Sequence, residues 1–174
     1  MVDIRMANEG DLDAVAAIYE AIHAEEEAGR ATTGWLRGVY PTANTAREAF
    51  DAGALFVLEE DGVVAGAARV DRTQVDVYAG ARWSRAAAPE EVMVLHTLVI
   101  DPARAGRGLA HRFVAFYESY AASHGCRVLR MDTNEKNAAA RGLYKSLGYR
   151  EADTRPCEFN GIPDVRLVLL EKEL

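Results

Sequence analysis

Between Leu98 and Ala110 an apolar run gives way to Asp101-Pro102, then to two glycines one residue apart, Gly106 and Gly108, before a helical pattern begins. Open main-chain N–H groups at a helix start, with glycines that let another molecule approach the backbone, suit a pyrophosphate. Leu109, Ala110 and His111 would supply the first amides of that helix, and Arg104 and Arg107 would add positive charge beside it. A plain strand-to-helix turn would use the same glycines. The loop is not a Walker A motif, because no Lys-Ser/Thr follows. It departs from the dinucleotide pattern GxGxxG where His111 takes the last position. His96 stands on the apolar run two residues before Leu98. A neutral imidazole there could accept a proton near pH 7, directly or through water; the bland alternative is a structural histidine with both nitrogens satisfied internally.

The elements that must position these residues follow from periodicity. Residues 2–6 alternate as a short strand. Leu12, Val15, Ile18, Tyr19 and Ile22 recur at helical spacing, so a helix is expected from Leu12 to about Ala28, with a second over Thr42–Asp51. Ala54–Glu59 and Val63–Val70 read as a hairpin around Asp61-Gly62. Val92–Ile100 is almost wholly apolar, as for a central strand buried on both faces. A helix from Gly108 to His124, a strand Cys126–Met131, a helix Asn137–Leu147 and strands Tyr149–Phe159 and Val165–Leu170 complete the chain. Residues 71–91 resist assignment: Val75, Val77 and Tyr78 could extend the preceding strand. The order β-α-α-β-β-β-α-β-α-β-β predicts an α/β fold of the α+β type, with a mixed, mostly antiparallel sheet flanked by helices. Its one parallel pair joins 92–100 to 126–131 through a right-handed crossover.

Composition narrows the classes of function. The 174 residues are 49% apolar and 27% charged, enough for one sizeable core and one domain over 1–174. A net charge of −7 excludes a uniformly basic nucleic-acid surface, though not a local basic patch, and no nucleic-acid partner is expected. No run approaches the roughly 18 apolar residues of a membrane span, so no membrane partner is expected either. Acidic residues fill the N-terminal stretch where a secretory signal would be apolar, and the two cysteines form neither a CxxC nor a disulfide framework, so the expected compartment is the cytoplasm. The four histidines are scattered and HExxH is absent, so no metal is expected.

A second stretch gives the loop its context. Asn137, Ala140, Leu143, Tyr144, Gly148 and Tyr149 match in full the pattern Asn-x-x-Ala-x-x-Leu-Tyr-x-x-x-Gly-Phe/Tyr, and Gly108-Leu109-Ala110 matches the end of Gln/Arg-x-x-Gly-x-Gly/Ala. The first position of the latter holds Ala105, with Arg104 one place early. With both motifs in order on one β-α-β-α frame, the chain resembles the GNAT superfamily of acyl-CoA-dependent N-acyltransferases over nearly its whole length.

The resemblance implies acetyl-CoA as co-substrate, held by the loop and by main-chain groups of Leu98, Val99 and Ile100, on a strand that splays from its parallel neighbour to admit it. It implies that Asn137 hydrogen-bonds the cofactor arm, with Asn134 at the same edge of the sheet beside Asp132. Tyr144 would protonate the leaving thiolate, where a core-packed aromatic is the alternative. His96, or more weakly Glu90 or Glu91, would serve as base. Glu25, Glu26 and Glu27 could attract a cationic amine or simply be solvated. Trp35, Tyr40 and Trp83 could wall an acceptor pocket or pack the core. The implied activity is acetyl transfer to a primary amine on a small molecule or a peptide, by a monomer or homodimer. The rivals are a protein N-terminal or lysine acetyltransferase, a non-catalytic CoA-binding regulator and an unrelated phosphate-ligand binder.

Overall fold

In the computed structural model, which describes residues 1–174, seven strands form one sheet in the order β1-β2-β3-β4-β5-β7-β6. The strands are β1 (Val2–Met6), β2 (Leu55–Glu60), β3 (Val63–Asp71), β4 (Val92–Ile100), β5 (Val128–Asn134), β6 (Arg150–Phe159) and β7 (Ile162–Glu173). The helices are α1 (Leu12–Glu27), α2 (Ala43–Asp51), α3 (Leu109–Ser123) and α4 (Ala138–Ser146). Only β4 and β5 run parallel; the other neighbours are antiparallel, as the short links between them require. At the β2–β3 hairpin both turn residues, Asp61 (φ 53°) and Gly62 (φ 81°), take the positive φ that a two-residue turn demands.

Alternation along the strands sorts the core onto two faces. From β2, Phe56 and Leu58 meet Phe113, Tyr117 and Tyr144 of α3 and α4, while Leu55 and Val57 meet Val15, Ile18 and Ala46 of α1 and α2. One position breaks this alternation. Between β3 and β4 the register slips, so that Arg69 faces His96 but Ala67 faces Val99. The extra residue is Thr97, held at φ 52°, where a β-branched side chain is strained. The bulge inverts the pleat beyond it. Upstream, Met93 and Leu95 face α3; downstream, Leu98 and Ile100 do so, and Val99 turns to α1.

Residues 71–91 do not extend β3 beyond Asp71. They form two 3₁₀ turns, Asp76–Tyr78 and Pro89–Glu91, and with Tyr40 they cover β4, β5 and β7 on the face that α1 and α2 leave bare. Two buried charges pin them there. Arg130 of β5 lies 4.2 Å from the Trp83 ring and donates to Gln74 (2.6 Å) and to the Arg85 carbonyl (3.2 Å). Glu171 of β7 accepts from the Ser84 amide at 2.7 Å. The segment lacked a readable period because side chains of other elements hold it. β5 also runs past the expected Met131 to Asn134, carried by pairing with β7 after its apolar signal has ended.

Candidate active site

The last β4–β5 pair is Leu95 with Met131. Beyond it β4 keeps β3 and β5 keeps β7, and the two strands part. A cleft of about 400 Å³ opens between them, bordered by Leu98–Ile100 on one side and Asp132–Asn134 on the other. It runs through the sheet, with Trp35 and Tyr40 on the α1 side and Ala140 and Tyr144 on the α4 side. Leu98, Val99 and Ile100 therefore present an unpaired main-chain edge to it.

Ile100 and Ala105 also border a depression of about 440 Å³ over the glycine loop, so the two spaces are contiguous. Gly106 (φ 77°) and Gly108 (φ 73°) take left-handed conformations that admit the turn into α3. The Arg112 amide makes the first α3 bond, to the Gly108 carbonyl at 3.1 Å, and no amide from Gly106 to His111 has a main-chain partner. Unsatisfied N–H groups at the positive end of a helix are an anion site. The two arginines are less free than expected: Arg104 (2.6 Å) and Arg107 (3.1 Å) both pair with Oε2 of Glu60, from the neighbouring hairpin. Attraction for an anion therefore falls mainly to the amides.

Asn137 begins α4, its Oδ1 accepting from the Ala140 amide at 3.1 Å, which leaves Nδ2 free to donate. Asn134 accepts from the Lys136 amide at 3.0 Å. Its Nδ2 lies over Gly34, where a Cβ would come within 2.3 Å of it, so the loop after α1 closes directly onto β5. Tyr144 is 7% exposed and its hydroxyl makes no hydrogen bond within the protein. Burial, and then the nearby charge of Asp132, raise its pKa and keep it protonated.

His96 lies on the opposite face, in a second cavity of about 190 Å³ that also contains Tyr19, Glu48 and Arg69. This cavity meets the cleft at Tyr40, Thr97, Asp132 and Phe159. Nε2 of His96 is 3.3 Å from Asp71 Oδ1, an ionic contact without an aligned hydrogen bond. Burial alone would raise the Asp71 carboxyl, but His96, the Thr73 amide (2.8 Å) and Arg69 (2.6 Å) outweigh it and hold it well below the usual carboxylate range. Asp71 thus favours the tautomer with hydrogen on Nε2 and leaves Nδ1 as the acceptor.

Other candidates are occupied elsewhere. Glu25 pairs with Arg30 and Glu27 with Arg37, while Glu26 accepts from the Thr33 and Gly34 amides; all three shape the loop after α1. Glu91 pairs with Arg127, and Glu90 lies beside it before β4 begins, at the end of that strand away from the cleft. Trp35 and Tyr40 do wall the cleft, whereas Trp83 stacks on Tyr78 at 5.3 Å and under Arg130. Sequence reasoning missed the Thr97 bulge and the partnership of Asp71 with His96, neither of which has a local signal. Asp132, named there only as a neighbour of Asn134 at the sheet edge, lines both the cleft and the second cavity. No group of three or more metal-ligating side chains forms, and no helix is long and apolar enough to cross a membrane.

A row of open amides, a channel through the sheet, and a phenol and an imidazole on its two sides are groups that could serve the movement of an acyl group from a phosphate-bearing carrier to a nucleophile. Comparison with known proteins agrees. The architecture is similar to that of a GNAT-family acetyltransferase from Streptococcus agalactiae (26% identity, 99% of this chain and 95% of that one, TM-score 0.79). It is also similar to an N-acetyltransferase from Staphylococcus aureus (21%, 99% and 98%, 0.74) and to YncA of Salmonella typhimurium, solved with its cofactor acetyl-CoA (22%, 99% and 94%, 0.68). No curated protein matches the chain by sequence. The family model described as Acetyltransferase (GNAT) family matches residues 16–149, more than half of the chain and all of the cleft's parallel strands and glycine loop, so the chain belongs to the GNAT acetyltransferases, a family that uses acetyl-CoA.

Proposed function

We propose that the protein, acting as one unit over residues 1–174, transfers the acetyl group of acetyl-CoA to a primary amine by direct attack in a ternary complex. The observation that carries this reading is the continuity of the cleft: the open amides of Gly106–His111 stand at one end and the unpartnered Tyr144 hydroxyl stands within it. When bound, acetyl-CoA supplies an acetyl group already activated as a thioester. The amides would hold its pyrophosphate, with Arg104 and Arg107 nearby but shared with Glu60. The free edge of Leu98–Ile100 would align the pantetheine arm and polarise the carbonyl, and the amide groups of Asn134 and Asn137 would donate to the arm.

Acid and base stand on opposite faces of the sheet, which suits attack from one side and departure on the other. His96, oriented by Asp71, would take a proton from the incoming ammonium. The nitrogen then forms its bond to the acetyl carbon as the carbon–sulfur bond breaks and gives up its second proton to water, and Tyr144 would give its phenolic proton to the departing sulfur. Solvent restores both side chains, and one proton is released per turnover.

The test is ligand-dependent stabilisation followed by thiol release. Acetyl-CoA and CoA should raise Tm, and ATP should not, because a selective ligand stabilises the folded state by mass action. Gly108→Val should weaken acetyl-CoA binding by about tenfold or more, since a β-branched residue at φ 73° is strained and crowds the approach to the amides. His96→Ala should slow transfer while leaving acetyl-CoA affinity intact. Unchanged affinity in folded Gly108→Val, or no thiol release with any amine, would overturn the reading.

A further inference from the structure

Asp132 is the only charged side chain lining the cleft, and it also lines the second cavity, so it stands at the throat where the two meet. It comes immediately after the last β4–β5 pair, where the sheet opens. Tyr78 donates to its Oδ2 at 2.7 Å, while Oδ1 makes no hydrogen bond within the protein and no Lys or Arg pairs with either oxygen. The cation nearest in the second cavity, Arg69, is already engaged by Asp71 at 2.6 Å. The other carboxylate there, Glu48, accepts from Asn44 at 2.7 Å on exposed α2. The walls around the throat are aromatic, from Tyr40 and Phe159, which stack edge to face at 5.2 Å. A carboxylate held in such walls without a counter-ion is costly unless a cation arrives to compensate it. Burial pushes its pKa up, consistent with that deficit.

We infer that Asp132 receives the ammonium of the acceptor, so that the protein selects a primary amine that is cationic in solution over one that is neutral. This rests on the acetyl-transfer reading above and assigns its acceptor class. Tyr78 fixes one oxygen of Asp132 and leaves the other for the ligand. His96, which lines the second cavity on the far side of the throat, then takes as a neutral imidazole the proton whose loss makes the nitrogen a nucleophile. Asp132 holds the charge and His96 removes it.

Asp132→Asn tests the assignment, because the amide oxygen can still accept from Tyr78 and only the charge is lost. Wild type and variant are compared with butylamine and 2-phenylethylamine, both cationic at pH 7.5, and with aniline, which is neutral. Acetyl-CoA affinity is measured alongside by calorimetry. The expected result is a KM for the cationic amines raised by roughly 30-fold or more, as for an ammonium whose buried partner is removed. Acetyl-CoA affinity and kcat/KM for aniline should stay within about twofold of wild type, well inside the tenfold that 1.4 kcal/mol would bring. Equal losses for cationic and neutral acceptors, or no loss for the cationic ones, would overturn it. If wild type acetylates none of these amines, the transfer reading fails. The ammonium site is then judged by thermal shift of the CoA complex with the two cationic amines: stabilisation that Asp132→Asn abolishes upholds it, and stabilisation unaffected or absent overturns it.

Discussion

Tyr144 joins two demands on one side chain. Its ring belongs to the core between α4 and the sheet, 6.0 Å from the ring of Tyr149, and its hydroxyl opens into the cleft without a partner. A buried phenol with no acceptor leaves hydrogen-bonding capacity unused, and a departing thiolate would use it. Tyr144→Phe keeps the packing and removes only the proton. Stability and acetyl-CoA affinity should hold, while kcat falls by roughly 10²-fold, the lower end of what a general acid contributes. The loss should shrink with an acetyl donor whose thiol is more acidic, because that thiolate needs less help. Steady-state rates with both donors check this; equal losses would indicate positioning in place of proton transfer. Asp132 has the opposite thermodynamic character. Its raised pKa marks a group whose ionised form is disfavoured in the fold, so its charge lowers stability at neutral pH, a cost carried for the site.

The parting of β4 and β5 depends on devices in three elements. The bulge at Thr97 turns Leu98 and Ile100 toward α3 and α4. Gly66 of β3 allows the close approach that follows, since a Cβ there would stand 2.7 Å from the Val99 carbonyl. Tyr117 of α3, fully buried, reaches across the parallel pair just before it opens and donates to the carbonyls of Met93 (2.6 Å) and Arg130 (3.2 Å). That hydroxyl ties the helix to both strands at the vertex. Tyr117→Phe should therefore cost about 1–3 kcal/mol, the penalty for leaving buried carbonyls short of a donor. Denaturant melts would measure it, and acetyl-CoA affinity should fall with it, because the vertex sets where the strands diverge. A variant as stable as wild type would show that neither carbonyl depends on the phenol.

For the molecule as a whole, charge is distributed so that acid is the weak side. Arg5 holds the Asp11 carboxyl below its usual range. Burial would raise the carboxyls of Asp71 and Glu171, but hydrogen bonds and cations lower both, with His96 leading at Asp71 and the Ser84 amide and Arg150 at Glu171. A carboxyl lowered in the folded state stabilises it fully above the unfolded pKa of about 4, and that contribution is lost as pH falls through the folded value. Tm should thus be flat through neutral pH and drop steadily below about pH 4, with Glu171→Gln flattening the decline. Asp132→Asn acts with the other sign and should raise Tm at pH 7, since it removes a half-buried charge that no Lys or Arg pairs. Calorimetric scans from pH 7 to pH 2.5 would decide both; a Tm that rises on acidification would contradict the first.

What local chemistry encodes is legible along the chain: the element order, the glycine loop at the start of α3, the helix that begins at Asn137 and carries Tyr144, and the hairpin at Asp61-Gly62. These depend on side-chain spacing and on φ preferences within a few residues, so they can be read along the chain. Tertiary structure decided what depends on partners far apart. Glu60 claims Arg104 and Arg107 from a hairpin more than forty residues away. Arg130 and Glu171 hold residues 71–91, which have no period of their own. Pairing with β7 carries β5 through Asp132, Thr133 and Asn134 after its apolar pattern has ended, and the bulge at Thr97 inverts β4 against a register that only β3 defines. The cleft itself is of this second kind: a gap between two strands exists only where each has a better neighbour on its other side.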